Sequence, residues 1–174
     1  MYEYVGNFPF EFKINKDDFN WRKNVVTDYT GDDIHSNASF EAGYGENTNI
    51  YKCYQEDFPD YIKKYIKQFP IEVVASNFHV QEPGYIIPPH KDNFIAVDKL
   101  EHGIKTTKTP YRIFVFMNDW EFGQILMVDN LVLHNWKKGD TYVWDSDALH
   151  MSCNGSLQDK LSLIITGFLT KDNL

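Results

Sequence analysis

The stretch "PPHKDNF", Pro88 to Phe94, sets a histidine and an aspartate two residues apart, directly after two prolines. Prolines fix φ and remove backbone donors, so the segment reads as extended. In an extended segment residues i and i+2 point the same way. His90 and Asp92 then face one point while Lys91 turns away. The other histidines are His35, His79, His102, His134 and His150. His150 opens "LHMSCN" late in the chain, where a barrel brings a late strand beside an early one. Two neutral imidazoles and one carboxylate form a facial triad that suits Fe(II) and leaves coordination positions open. His90, Asp92 and His150 are on this reading the metal ligands and the catalytic centre. His79 reads as a core or cavity-lining residue, and His134 as packed or outward-facing.

These side chains need a scaffold, and the C-terminal pattern supplies strands. "IEVVASNFHV", "YIIPPHKDNF", "YRIFVFMN", "GQILMVD", "NLVLHNW", "DTYVWD", "LHMSCN" and "KLSLIITGFL" follow one another, separated by turn signals such as "NDWEFG", "KKGD" and "NGSLQD". Short strands at this spacing indicate a sandwich or barrel, and eight of them suffice for a jelly roll. The clearest helix is "EDFPDYIKKYIKQF", Glu56 to Phe69, with Phe58, Ile62, Tyr65, Ile66 and Phe69 on one face and Lys63, Lys64 and Lys67 on the other. Asp57 reads as its cap, Pro59 as a first-turn residue and Pro70 as its stop. Trp144 and Phe114 read as core. "YEYVGNFPFEFKI" predicts one or two strands broken near Gly6, and "HSNASFEAGYGENTN" a loop. The fold class is therefore mainly β with a flanking helix, in one domain over 1–174: a flank over 1–70 and a jelly-roll core over 71–170.

The order His90-Lys91-Asp92, then His150 fifty-eight residues beyond Asp92, then Lys160 ten residues further, resembles the HxD…H…(Arg/Lys) motif of the Fe(II)/2-oxoglutarate-dependent oxygenases. "WKKGDTYVWDSDALHMS", Trp136 to Ser152, resembles the approach to the distal histidine in that superfamily. The resemblance covers roughly the C-terminal half. It implies a double-stranded β-helix, a cupin-like barrel. It also implies Fe(II), with 2-oxoglutarate and O2 as co-substrates, and a substrate hydroxylated as succinate and CO2 are released. Lys160 then binds the distal carboxylate of 2-oxoglutarate, and Ser162, two residues on and on the same strand face, donates a hydrogen bond to it. Many members carry Arg-x-Ser here. Lys-x-Ser occurs in the prolyl-hydroxylase-like branch and points towards a peptidyl or free amino acid. Asp92 separates the chain from the aspartyl/asparaginyl β-hydroxylases, which generally lack the motif carboxylate. Arg112 is a second cation, expected at a carboxylate of 2-oxoglutarate or of the substrate. Asn77 and Tyr85 are expected to line the cavity and meet co-substrate. The long stretch "NFIAVDKLEHGIKTTKT", Asn93 to Thr109, reads as a lid. A cupin-like metal enzyme that does not use 2-oxoglutarate, a zinc hydrolase with the same ligands and a non-catalytic jelly-roll binding module are the competing readings.

Composition narrows the partners. The net charge of −8 over 174 residues disfavours a nucleic-acid backbone and fits a small-molecule or peptide substrate. The apolar runs are too short for a membrane helix, and the start lacks the features of a signal peptide. Cys53 and Cys153 form no metal-binding pair and read as free thiols. Together these features predict a soluble, cytoplasmic protein.

Overall fold

The computed structural model describes residues 2–25, 47–92 and 109–170. Strands β1 (Tyr2–Asn7), β2 (Arg22–Val25) and β3 (Asn49–Tyr54) precede a short helix, α1 (Asp60–Ile66). There follow β4 (Ile71–Gln81), β5 (Ile86–His90), β6 (Tyr111–Phe116) and β7 (Gln124–Val128). The chain ends with β8 (Leu131–Leu133), β9 (Asp140–Asp145), β10 (His150–Asn154) and β11 (Lys160–Leu169). They form two antiparallel sheets, in the orders β1-β9-β6-β11-β4-β3-β2 and β5-β10-β7-β8. The eight strands β4 to β11 supply four neighbouring strands of the large sheet and all of the small one. This is the jelly roll that the strand pattern predicts, widened by three N-terminal strands.

Alternation on each strand sorts the side chains. On β11, Leu161, Leu163 and Ile165 join the core outside the large sheet, while Ile164 joins the core between the sheets. Lys160 and Ser162 therefore share the inner face with Ile164. Arg112, Phe114 and Phe116 face inward from β6, and Asn77, His79 and Gln81 from β4, as their register with β11 requires. Part of the interior is apolar: Phe114, Phe116 and Trp144 meet Leu126, Val128 and Leu133 from the small sheet.

The outer face is closed by α1 and the N-terminal aromatics. Ile62, Tyr65 and Ile66 of α1 pack with Phe10, Phe19, Phe69 and Phe78. The helix is shorter than its periodicity predicts. Phe58 precedes a proline and is held extended (φ −69°, ψ 138°), as the proline ring demands. Pro59 is itself extended and occupies the N-cap position, so Asp57 belongs to a preceding 3₁₀ turn rather than to the cap. At the other end Lys67, Gln68 and Phe69 donate to carbonyls three residues back, a tightened last turn before Pro70.

Two turns fix the strands that matter for the interior. Asp129 and Asn130 form a two-residue hairpin between β7 and β8, with Asp129 at φ +50°, as short hairpins of this kind need. Gly139 has φ +92°, and a Cβ there would lie 2.6 Å from the Phe8 carbonyl oxygen. Only glycine allows β1 to approach the start of β9 this closely. Cys53 is buried and Cys153 half-buried, and both thiols are free. Among the described residues no helix is long and apolar enough to cross a membrane.

Candidate metal centre

His90 and His150 stand directly opposite each other on β5 and β10, with ring centroids 4.2 Å apart. A β-bulge brings them together. Ser152 pairs with Ile87 and His150 with His90, so two steps on β10 match three on β5. In a regular strand Ile87 and His90, three apart, would face opposite ways. The extra residue turns His90 inward, as bulges beside functional sites do. Pro88 and Pro89 are the residues bypassed. β5 is an edge strand, the position where prolines are tolerated because they donate nothing to the ladder. The prolines thus do more than keep the segment extended.

Each of the three side chains is held from behind. His90 Nδ1 lies 2.8 Å from the Pro88 carbonyl and His150 Nδ1 3.1 Å from that of Ala148. A carbonyl only accepts, so both Nδ1 atoms carry the proton and both Nε2 atoms keep their lone pairs, as in metal-binding histidines. Arg112 donates from Nη1 to Asp92 Oδ1 at 2.7 Å. Asp92 Oδ2 stays without a hydrogen bond among the described residues, 3.5 Å from His150 Nε2. The ligand atoms of His90, Asp92 and His150 all lie within 4.8 Å of one another. Burial pushes the His150 imidazolium down to about 4, against the opposing pull of Asp92. The ring is therefore neutral, the form that binds metal. The preceding residue is pinned as well: Leu149 N–H donates to Asp129 Oδ1 at 3.0 Å, and Asp129 N–H to the Leu149 carbonyl at 2.6 Å. Two imidazoles and a carboxylate with a free front oxygen are a donor set that fits Fe(II).

Lys160 lies inside, only 2% exposed. Its Nζ donates to the Ile125 carbonyl at 2.7 Å and to Ser152 Oγ at 2.6 Å, and sits 5.3 Å from the centre of the Trp136 ring. Ser152 Oγ–H in turn donates to Gln81 Oε1 at 2.6 Å, and Gln81 Nε2 donates to the carbonyls of Tyr85 and Ser152. An ammonium has three donors, and two are used. No carboxylate pairs with Lys160 among the described residues, and burial lowers its pKa to about 7.

The other expected residues are spread around this interior. Ser162 is 5% exposed and stands opposite His79 and Phe116. Asn77 faces inward one row further along, opposite Tyr54 and Ile164. Tyr85 lies in the turn between β4 and β5 and meets the site's framework through its main-chain carbonyl. Arg112 is taken up by Asp92. His134 is exposed. The expected lid lies outside the described residues apart from Thr109.

Sequence reasoning misses Ser152, Gln81 and Lys52. Lys52 lies on β3 directly across from His79 and therefore faces inward. Burial, with Arg112 nearby, lowers its pKa to about 8, and Asp92 acts the other way. The one signal in the sequence is alternation in "NIYKCY": Cys53 belongs to the outer core, so its neighbour Lys52 must point the other way.

No family model matches the chain, and no curated protein matches its sequence. Solved structures do match in fold. The non-heme alpha-ketoglutarate-dependent epimerase SnoN from nogalamycin biosynthesis is similar at a TM-score of 0.52 and 11% identity, over 71% of this chain and 65% of that one. The carbocyclase SnoK of the same biosynthesis, also alpha-ketoglutarate dependent, is similar at 0.50 and 12%, over 87% and 80%. A Pseudomonas putida prolyl-4-hydroxylase aligns over 88% and 94% at 0.47 and 15%. At such identity the likeness to SnoN and SnoK shows the fold alone.

Proposed function

We propose that this chain is an Fe(II)- and 2-oxoglutarate-dependent dioxygenase, with His90, Asp92 and His150 as the metal ligands and Lys160 as the residue that binds the distal carboxylate of the co-substrate. When bound, the metal supplies the redox chemistry that couples oxidative decarboxylation of 2-oxoglutarate by O2 to oxidation of a substrate C–H bond. What supports the reading most is the buried Lys160 ammonium, hydrogen-bonded to a residue two places from His150. Ser152, its hydrogen-bond partner, lies two residues from His150 on one strand, a step of roughly 7 Å. A five-carbon diacid spans on the order of 5 Å between its carboxyl carbons, so one end reaches Lys160 while the other lies at the metal. Burying a cation without a counter-charge is costly, and a ligand carboxylate supplies that charge.

The chain's own groups have distinct tasks. Pro88 and Ala148 carbonyls orient the two imidazoles. Arg112 holds one oxygen of Asp92 and leaves the other for the metal. Ser152 and Gln81 fix the Lys160 amine so that its remaining proton meets the co-substrate, with Ser162 on the same strand face. Trp136 and Trp144 keep water from the inner end. The substrate is a small molecule or a peptide, and hydroxylation of a peptidyl or free amino acid is the reaction proposed.

The test is spectroscopic. Oxygen-free protein loaded with Fe(II) is mixed with 2-oxoglutarate and scanned for the visible charge-transfer band of a chelated complex. Wild type is expected to show the band and His150→Ala to lack it. A folded, iron-loaded wild type without the band would overturn the reading.

A further inference from the structure

A second positive site lies on the same inner face, and the metal reading does not use it. Lys52 on β3, His79 on β4 and Ser162 on β11 stand in one cross-strand row. Lys52 has no ion pair or hydrogen bond among the described residues, although it is half-buried. Its charged neighbours are Arg112, which repels it, and Asp92, which attracts it. His79 Nε2 is buried with no hydrogen-bond partner among the described residues. Burial and the two nearby cations hold the His79 imidazolium well below its usual range, so the ring is neutral and can present an N–H there. A half-buried ammonium and an unpaired imidazole nitrogen, side by side on the inner face of the sheet, lack a partner among the described residues.

Asp92 is bound to Arg112 at 2.7 Å, so among the described residues the Lys52 ammonium has no counter-charge of its own, and a ligand carboxylate supplies one. Lys160 is a separate position, on β11 opposite Gln81 and bound to Ser152. Next along the inner face from Lys52 and His79 come Tyr54 and Asn77. With Glu56, Ser76 and their neighbours they line an open groove of about 310 Å³ at the β3–β4 edge, which Lys52 and His79 do not line.

We propose that Lys52 and His79 form a carboxylate-binding subsite for the substrate, so that this protein acts on a small carboxylate-bearing molecule whose body lies towards Tyr54 and Asn77. The proposal rests on the dioxygenase reading for the word substrate, but the subsite itself is open to test without metal. The substrate carboxylate receives hydrogen bonds from the Lys52 ammonium and from His79 Nε2–H. The substrate is held between that row and the triad, with its reactive carbon towards His90 and His150. Selection then works by charge: a neutral amide of the same shape leaves Lys52 unpaired and is rejected.

The experiment compares N-acetylglycine with N-acetylglycinamide, titrated into metal-free ¹⁵N-labelled protein and followed by amide shifts of β3 and β4. The carboxylate is expected to bind and the amide to bind at least about tenfold more weakly, as a charge-assisted hydrogen bond requires. Lys52→Met is expected to remove that preference and Lys52→Arg to retain it. In both variants the 2-oxoglutarate charge-transfer band on the iron-loaded protein should persist at an unchanged midpoint. Equal binding of acid and amide by wild type would overturn the proposal. So would a Lys52→Met protein that keeps the preference, or one that loses 2-oxoglutarate as completely as Lys160→Met does, since Lys52 would then belong to the co-substrate. A wild type that discriminates acid from amide yet shows no charge-transfer band would sink the dioxygenase reading and leave the carboxylate site standing.

Discussion

Leu161, Leu163 and Ile165 leave β11 on one face of the seven-stranded sheet, while Lys160, Ser162 and Ile164 leave it on the other. The outer face is a continuous apolar layer in which Phe19, Phe78, Tyr65 and Phe69 interlock with α1. Its polar atoms find partners, as Tyr65 Oη does in the Phe8 carbonyl at 2.7 Å. The inner face carries Lys52, His79, Arg112 and Lys160 within the same strands, and among the described residues it leaves the Lys52 ammonium and His79 Nε2 without partners. One sheet thus separates the two tasks by alternation alone: stability is concentrated outside, and the inside gives up stability to hold groups ready for ligands.

That contrast predicts opposite responses to truncation. Phe78 is fully buried and packs tilted against Phe19 at 4.8 Å and edge-on against Trp21 at 6.0 Å between ring centroids. Phe78→Ala is expected to cost about 3–5 kcal/mol, read as a lower urea midpoint. The metal centre in molecules that remain folded should be unaltered, with iron affinity near wild type. A loss under about 1 kcal/mol would mean that the outer layer does not carry the fold.

Lys160→Met moves the other way. It replaces a buried, unneutralised charge by an apolar side chain of similar length, and such exchanges stabilise by about 1–4 kcal/mol where a buried ionic group is removed. Metal-free Lys160→Met is expected to melt above wild type, while its 2-oxoglutarate affinity falls by at least about a hundredfold, the size of a lost hydrogen-bonded charge. A variant that is less stable than wild type would show that the hydrogen bonds to Ile125 and Ser152 outweigh the cost of burial. The inner face would then be structural at that point.

The two faces also differ in how well the sequence reveals them. The apolar alternation of β4 to β11 gives the eight strands, because each buried half-face repeats every second residue. His90, Asp92, His150 and Lys160 stand out as chemically distinctive types at spacings that a jelly roll brings together. Lys52 does not, since an inward lysine on β3 is identical in sequence to a solvated one until the register with β4 is known. Ser152 and Gln81 are hidden for the same reason: their meaning comes from Lys160, across the sheets. The bulge at Pro88 and Pro89 is legible only as stiffness, because its effect on the direction of His90 depends on the pairing with β10. Arg112 reads as a free cation in the sequence, whereas in the structure it is the support of Asp92. The helix is overextended by its own periodicity, which continues through Phe58 and Phe69 although the Phe58–Pro59 step forbids the first turn.

The most specific expected effect concerns pH. Burial lowers the Lys160 pKa to about 7 in the folded protein, against about 10.4 for an unperturbed lysine. Between these values the unfolded chain holds a proton that the folded one has given up, so stability rises with pH across this window and is flat below it. The slope is at most about 1.4 kcal/mol per pH unit for one proton. Subtracting the Lys160→Met profile isolates it from Lys52, which titrates in a neighbouring range. A bound diacid restores the counter-charge, raises the Lys160 pKa and suppresses that slope. Its own affinity must then weaken above about pH 7, by up to about tenfold per unit, because binding has to return the proton. Urea titrations from pH 6 to 10 with and without succinate measure both sides of this linkage. A wild-type slope that succinate leaves unchanged would mean that the carboxylate does not meet Lys160, and the inner face would need another residue for the co-substrate.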